Sequence, residues 1–414
     1  MALLLAAALL VLGYALVSKT SERWVVSAPM LFTGVGLLIG FSGIFEVESL
    51  GAGTVGLLAE ATLVLVLFTD AIRIDLSKLK NDALIPTRLL VIGLPLTLLA
   101  GAGLAYVMFD GFGLAAAFVV AAILTPTDAA LGKQVVTDEQ VPVRVRQSIN
   151  VESGLNDGIM LPIVTVAATV LAMESSLEET GIAGLIASQL GVGVLAGVVA
   201  GWVGGRLLDA AVSRGWVEGI MRQLGTMAIG VAAFAGAELA DGNGFVAAFV
   251  AGLAFGAAAR DQCQGAYDFA ADEGELLTLL TFLAFGVAVV GPILDEISVQ
   301  TILYAIASLT IVRMVPVALS LLGSGLKLPS VLFIGWFGPR GLASILFGVF
   351  LLEDSGAAIN DQIFSVVVWT VLLSILLHGA TAPWLAGRYG DWYERMETDD
   401  MMEAGETFEF PIRG

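Results

Sequence analysis

Apolar residues run along the chain in long blocks separated by short polar stretches. This is neither the alternation of a half-buried strand nor the one-sided stripe of a soluble helix. A helix needs about 20 apolar residues to cross a hydrocarbon core about 30 Å thick. About thirteen blocks reach or approach that length. They cover approximately 2–17, 24–43, 51–71, 89–109, 112–132, 148–173, 183–205, 223–240, 244–259, 275–293, 299–323, 330–352 and 362–385. The first block is short, and a cleaved signal peptide is the alternative reading. Met1-Ala2-Leu3 offers no positively charged leader, which favours a span. The pattern predicts an all-α polytopic membrane protein, with residues 1–385 as the transmembrane unit and 386–414 as a short acidic tail.

The basic residues supply an independent test. With the N-terminus outside, every loop expected inside carries Lys or Arg: Lys19 and Arg23; Arg73, Lys78, Lys80 and Arg88; Lys133, Arg144 and Arg146; Arg206, Arg214 and Arg222; Arg260; Lys327; and Arg388, Arg395 and Arg413 in the tail. Of the 19 basic residues, only Arg313 and Arg340 fall within spans, and no outside loop carries one. Cytoplasmic loops are where Lys and Arg accumulate. One span too many or too few would invert every later loop, so the expectation is N-terminus outside and C-terminus cytoplasmic, in the cell (inner) membrane. The outside loops are acidic, through Glu46, Glu48, Asp110, Glu174, Glu178, Glu179, Asp241, Asp295, Glu296, Glu353 and Asp354. They either concentrate cations at the mouth or simply solvate the loop ends. The tail, with Asp391, Glu394, Glu397, Asp399 and Asp400, is too small for a nucleotide-binding regulatory domain.

Composition narrows the function. Hydrophobic residues make up 57% and charged residues 14%, with a mean hydropathy of +0.91 and a net charge of −19. That balance excludes nucleic acid as a natural partner, since phosphate binding needs clustered Lys and Arg. One cysteine, Cys263, and one histidine, His378, cannot build a disulfide or a zinc centre; both are expected to be structural.

Ionisable residues at membrane depth are costly and so are functional candidates. Here they are Glu60, Asp70, Asp128, Glu152, Asp157, Arg313 and Arg340. The fifth block contains Thr125-Pro126-Thr127-Asp128. Pro126 removes a backbone donor, and freed carbonyls beside a carboxylate make an oxygen-rich place for a cation. The sixth contains Glu152-Ser153-Gly154-Leu155-Asn156-Asp157, in which Ser153 and Asp157 share a helical face. The twelfth contains a second breaker, Gly338-Pro339-Arg340-Gly341. Blocks five and twelve are an odd number apart and run in opposite directions, which predicts two inverted six-helix repeats with crossing interrupted helices. Such breaks are the best sequence pointer to a secondary transporter's site. Glu60 sits in mid-span without a motif, and the Gly191–Gly205 stretch reads as close helix packing.

These motifs, with Leu67-Phe68-Thr69-Asp70-Ala71 and Arg73-Ile74-Asp75-Leu76, resemble the monovalent cation/proton antiporters of the NhaP type, relatives of the animal sodium/proton exchangers. The resemblance extends over essentially the whole chain. It implies that Asp157 is the ion-binding carboxylate and that Asn156 marks an electroneutral branch. It further implies that Asp128 and Thr127 in the unwound helix and the Ser153 hydroxyl hold Na⁺ together with Asp157, and that Asp70 lines an inner funnel. Glu152 would pair with Arg313, and Arg340 would be a second, supporting arginine of the crossing helices. A homodimer, each subunit with a dimer domain and a mobile six-helix core, is also implied. No cofactor is expected beyond the transported ions. The leading reading is Na⁺ (or Li⁺) exchange for H⁺, and K⁺/H⁺ exchange with the same ligands is the alternative. An intramembrane aspartyl protease would also need two aspartates, but its Gly-x-Gly-Asp arrangement is missing. A channel would favour symmetric pore rings over one compact site.

Overall fold

The computed structural model describes residues 2–21, 26–42, 52–73, 84–174, 182–259, 264–294, 297–354, 361–396 and 403. Cys263, Asp75 and most of the outside acidic loops lie outside them. All secondary structure among the described residues is helical. In chain order the helices are α1 Ala2–Ser21, α2 Ala28–Phe41, α3 Ala52–Arg73, α4 Leu84–Met108, α5 Leu114–Leu124, α6 Ala129–Val136, α7 Val143–Glu174 and α8 Ile182–Ser213. They continue as α9 Ile220–Glu238, α10 Gly244–Ala259, α11 Gln264–Ala284 with a continuation to 293, α12 Val299–Ser320, α13 Leu328–Trp336, α14 Leu342–Asp354 and α15 Asp361–Glu394. Eight of the described helical segments are long and apolar enough to cross a membrane, and three shorter apolar helices accompany them. The chain is a membrane-embedded, multi-pass helical protein.

Backbone polarity dictates where the helices deform, because every N–H and C=O in hydrocarbon needs a partner. Both π turns, at Leu89–Gly93 and Phe285–Val290, come just before a proline, Pro95 and Pro292. The missing N–H breaks the ordinary ladder there, and a wider turn absorbs the mismatch. In α12 the bend falls at Thr310, with φ −110° and ψ −90°, six residues before Pro316. None of these three deformations is visible in the apolar blocks.

Lipid is as apolar as leucine, so helices associate through close packing. On α8, Gly193, Gly197 and Gly201 lie directly against the backbone carbonyls of Asn243, Ala247 and Ala251, the last two on α10. A methyl group at any of the three would overlap the neighbouring backbone, which explains the glycine run as a packing surface. The α5–α6 region is mostly buried while α8 is mostly exposed, so the Thr125–Asp128 break lies at the centre of the bundle and α8 at its edge. The last helix outruns its apolar block. It continues to Glu394, and Ala386 and Tyr389 are buried in a cluster with Phe333 and Ile334 of α13. Beyond it, Glu403 is also buried, accepting hydrogen bonds from Lys327 N (2.8 Å) and Ser330 Oγ (2.6 Å) at the start of α13.

Candidate functional site

α5 stops at Leu124 because Pro126 has no N–H to continue the ladder. Several carbonyls around the break find side-chain donors. Ala121 O accepts from Thr125 Oγ1 (2.6 Å), Ile123 O from Ser344 Oγ (2.7 Å), and Thr125 O and Pro126 O from Arg340 Nη1 (2.9 and 3.3 Å). Arg340 is fully buried. Its positive charge lies where the α5 dipole is negative, the favourable sense for a helix C-terminus.

Asp128 begins α6 as its N-cap. Its Oδ1 accepts from Ala130 N (2.6 Å) and Leu131 N (3.3 Å), and its Oδ2 accepts from Leu342 N at the start of α14. Its own N–H donates to Pro339 O (2.8 Å). One carboxylate therefore caps two half-helices and ties the two breaks together. Three backbone amides bind its two oxygens, which anchors the side chain where the two breaks meet.

The second break needs its glycines. At Gly341 a side-chain carbon would collide with the Asp128 carboxylate, and at Gly338 with the Arg313 guanidinium. Gly341→Ala is therefore expected to destabilise the protein by about 1–3 kcal/mol, the usual cost of overpacking a filled site. A melting temperature in detergent equal to the parent's would show that Asp128 can move aside. The extended segment is braced by α15. Arg340 N donates to Ser374 Oγ (2.7 Å), and His378 Nδ1 lies 3.1 Å from that same oxygen. His378 Nε2 is 2.9 Å from Trp336 O, the end of α13. His378 has a structural position, as expected, but a consequential one: it holds one side of the break directly and the other through Ser374.

α7 carries the remaining candidates. Glu152 and Arg313 form a doubly hydrogen-bonded pair, Nη1–Oε1 2.6 Å and Nη2–Oε2 2.7 Å, with both side chains essentially excluded from solvent. One position on, Ser153 Oγ lies 3.0 Å from Thr127 Oγ1, which also accepts from Asn156 Nδ2 (2.6 Å). The Asn156 side-chain Oδ1 is buried with no hydrogen-bond donor among the described residues. Asp157 is half-buried one turn beyond Ser153, its Oδ1 enclosed by protein. Thr127, Ser153, Asn156 and Asp157 thus bring hydroxyl, amide and carboxylate oxygens together beside the Asp128 anchor. Asp70 is buried on α3 and Glu60 is half-buried on the same helix.

A cavity of about 670 Å³ opens beside α6, between α2 and α11. Its wall includes Ala130 and Leu131, whose amides cap Asp128, and it is crossed by a Lys133–Glu275 ion pair at 2.7 Å. Asp70 does not line this cavity. Sequence reasoning missed Ser344, Ser374 and the Lys133–Glu275 pair. Only the spacing of Ser374 and His378, one turn apart on a helix, could have signalled the brace.

Broken helices that meet at a buried centre holding an arginine–glutamate pair are the pattern expected of a secondary transporter's site, and comparison with known proteins agrees in family. Residues 6–387 match the family described as "Sodium/hydrogen exchanger, transmembrane", and the chain belongs to that family of transporters. It is similar to the K(+)/H(+) antiporter NhaP2 of Shewanella sp. (strain ANA-3), 24% identical over 376 residues that cover 90% of this chain. The NhaP2 of Shewanella baltica (strain OS223) is 23% identical over the same length. The chain spans 64% of the length of these curated relatives. Its fold is similar to that of the sodium proton antiporter MjNhaP1 from Methanocaldococcus jannaschii at pH 8, with a TM-score of 0.75 and 20% identity. That match covers 94% of this chain and all of the other.

Proposed function

We propose that this protein exchanges Na⁺ for H⁺ across the cell membrane, one for one, with both ions competing for Asp157. The observation that carries this reading is the cluster of side-chain oxygens at the break: Thr127 is bonded to Ser153 and Asn156, and Asp157 follows one turn beyond Ser153. Glu152 is held by Arg313 at hydrogen-bond distance, and Arg340 holds the carbonyls next to Asp128. A proton and a sodium ion each bring one positive charge to Asp157, and so each half-cycle carries the same charge.

In this reading Asp157, Ser153, Thr127 and the Asn156 carbonyl supply the ligands, while Asp128 shapes the site and adds its field. Potassium exchange is the second reading, favoured by the description of the NhaP2 relatives as K(+)/H(+) antiporters. Everted vesicles separate the two. Na⁺ is expected to dissipate an imposed pH gradient at concentrations where K⁺ does not, and the reverse order would assign potassium.

The Lys and Arg distribution supports thirteen spans with the N-terminus outside and the C-terminus cytoplasmic. The cavity beside α6 then opens inward and the Lys133–Glu275 pair stands at its mouth. The chain is taken to work as a homodimer, each subunit with its own six-helix core carrying one site. Electroneutrality has two consequences for reconstituted protein. The initial rate is expected to be indifferent to a potassium–valinomycin potential. Apparent Na⁺ affinity is expected to weaken as pH falls, and scarce protons limit turnover at high pH, giving a bell-shaped profile. A rate that follows voltage would require a second titrating group coupled to transport.

A further inference from the structure

At the far end of α15 a groove of about 810 Å³ lies between the last turns of that helix, α13 and the middle of α12. Its walls are apolar and aromatic, with Leu332, Phe333 and Trp336 on one side and Trp392 on the other. Its rim is cationic. Arg388 on α15 and Arg395 just past its end are seven residues apart, and both line the groove. Both are exposed.

Two facts make this rim more than a solvated helix end. First, Asp391 lies between the arginines on the same wall, yet among the described residues no ion pair joins it to either of them. The ordinary expectation for such a face is a self-neutralising ladder at i, i+3 and i+4, and it is not formed. Second, the Arg388 guanidinium stands over the ring of Trp384, 5.7 Å from its centroid, and Trp384 is itself largely exposed. Tryptophan favours the membrane–water boundary, which places the cation at headgroup level. Leu332 of the groove wall is exposed, as are Val315 and Leu319 of α12, as residues facing hydrocarbon would be.

The geometry points to a binding site for one anionic phospholipid, with its phosphate between Arg388 and Arg395 and an acyl chain along Leu332, Phe333 and Trp336. Basic pockets between spans are where anionic headgroups bind. A zwitterionic lipid would bring its own cation against the arginines. A second copy of this chain in a two-fold contact would set arginine against arginine. The rest of a chain of net charge −19 repels anions, so the rim is a local exception. The groove floor includes Met314 and Phe337, immediate neighbours of Arg313 and of the Gly338–Gly341 break. An occupied groove therefore clamps α13 against α15 beside the transport centre. The inference rests on the membrane setting alone and is independent of which ion is carried.

The test is melting of the full-length protein in detergent with added phosphatidylglycerol, phosphatidylcholine or inorganic phosphate. Phosphatidylglycerol is expected to raise the melting temperature by several degrees, while phosphatidylcholine and phosphate leave it unchanged. Replacing both rim arginines (R388Q with R395Q) should remove the shift. Replacing Arg206 and Arg214, exposed cations that also face tryptophans, should leave it intact. These rim side chains have no ion pair among the described residues, so folding of the double variant is not at stake. An equal shift from both lipids, a shift from phosphate alone, or a phosphatidylglycerol shift that survives R388Q/R395Q would each overturn the assignment. The last result would leave the groove to another occupant, such as the acidic tail.

Discussion

Neutralising either Glu152 or Arg313 is expected to cost about 3–5 kcal/mol of stability, because each change leaves a buried charge without its counter-ion. The pair is doubly hydrogen-bonded and almost wholly excluded from solvent, so water cannot compensate the survivor. The damage spreads, since the Arg313 guanidinium also fills the space that Gly338 leaves open. Glu152→Gln and Arg313→Gln should therefore both lower the melting temperature in detergent and reduce the folded yield. The double variant should recover part of the loss, because two neutral groups are less costly to bury than one unpaired ion. Equal melting temperatures for the parent and both single variants would show that the pair does not hold α7 against α12.

Asp157→Asn is expected to do the opposite: folding near the parent's and exchange reduced to background. Asparagine has nearly the same shape, so packing around α7 is retained. What goes is the carboxylate that, on the proposed function, holds H⁺ and Na⁺ in alternation. Asp128→Asn is the informative contrast. That side chain caps two half-helices, and losing a charged cap typically costs about 0.5–2 kcal/mol, so this variant should lose stability as well as activity. Sodium-driven proton flux in vesicles, read beside melting temperature, separates the two roles. Substantial residual flux in Asp157→Asn would remove that residue from the mechanism.

Much of this was legible in the sequence because it depends on residues with few alternative uses. Proline removes a ladder hydrogen bond, and where an acid or glycines stand beside it, at Pro126 and Pro339, it marked the two discontinuities, whereas Pro162 and Pro383 sit inside continuous helices. Acids at membrane depth have to be partnered, so Glu152 and Arg313 could be matched before their helices were placed. What stayed hidden depends on tertiary partners. Hydropathy counts apolar atoms and carries no information about which amide faces Asp128, so its double cap could not be foreseen. The bend at Thr310 and the π turns before Pro95 and Pro292 leave the apolar content unchanged. The continuation of α15 beyond its apolar block is stabilised by Tyr389 stacked on Phe333, 4.3 Å between ring centroids, a contact between residues far apart in the chain. Ser374 is one small hydroxyl among many until Arg340 N is found against it.

The way the broken helices meet also sets the electrical landscape at their centre. The amino ends of α6 and α14 converge on one acid, Asp128, while the carboxyl end of α5 meets Arg340 and that of α13 meets the His378 ring. Two positive and two negative helix ends therefore meet in one region, where their contributions oppose one another at a distance. On the proposed function, an ion at this centre responds mainly to the oxygens it touches, and there ionic radius and ligand spacing count for most.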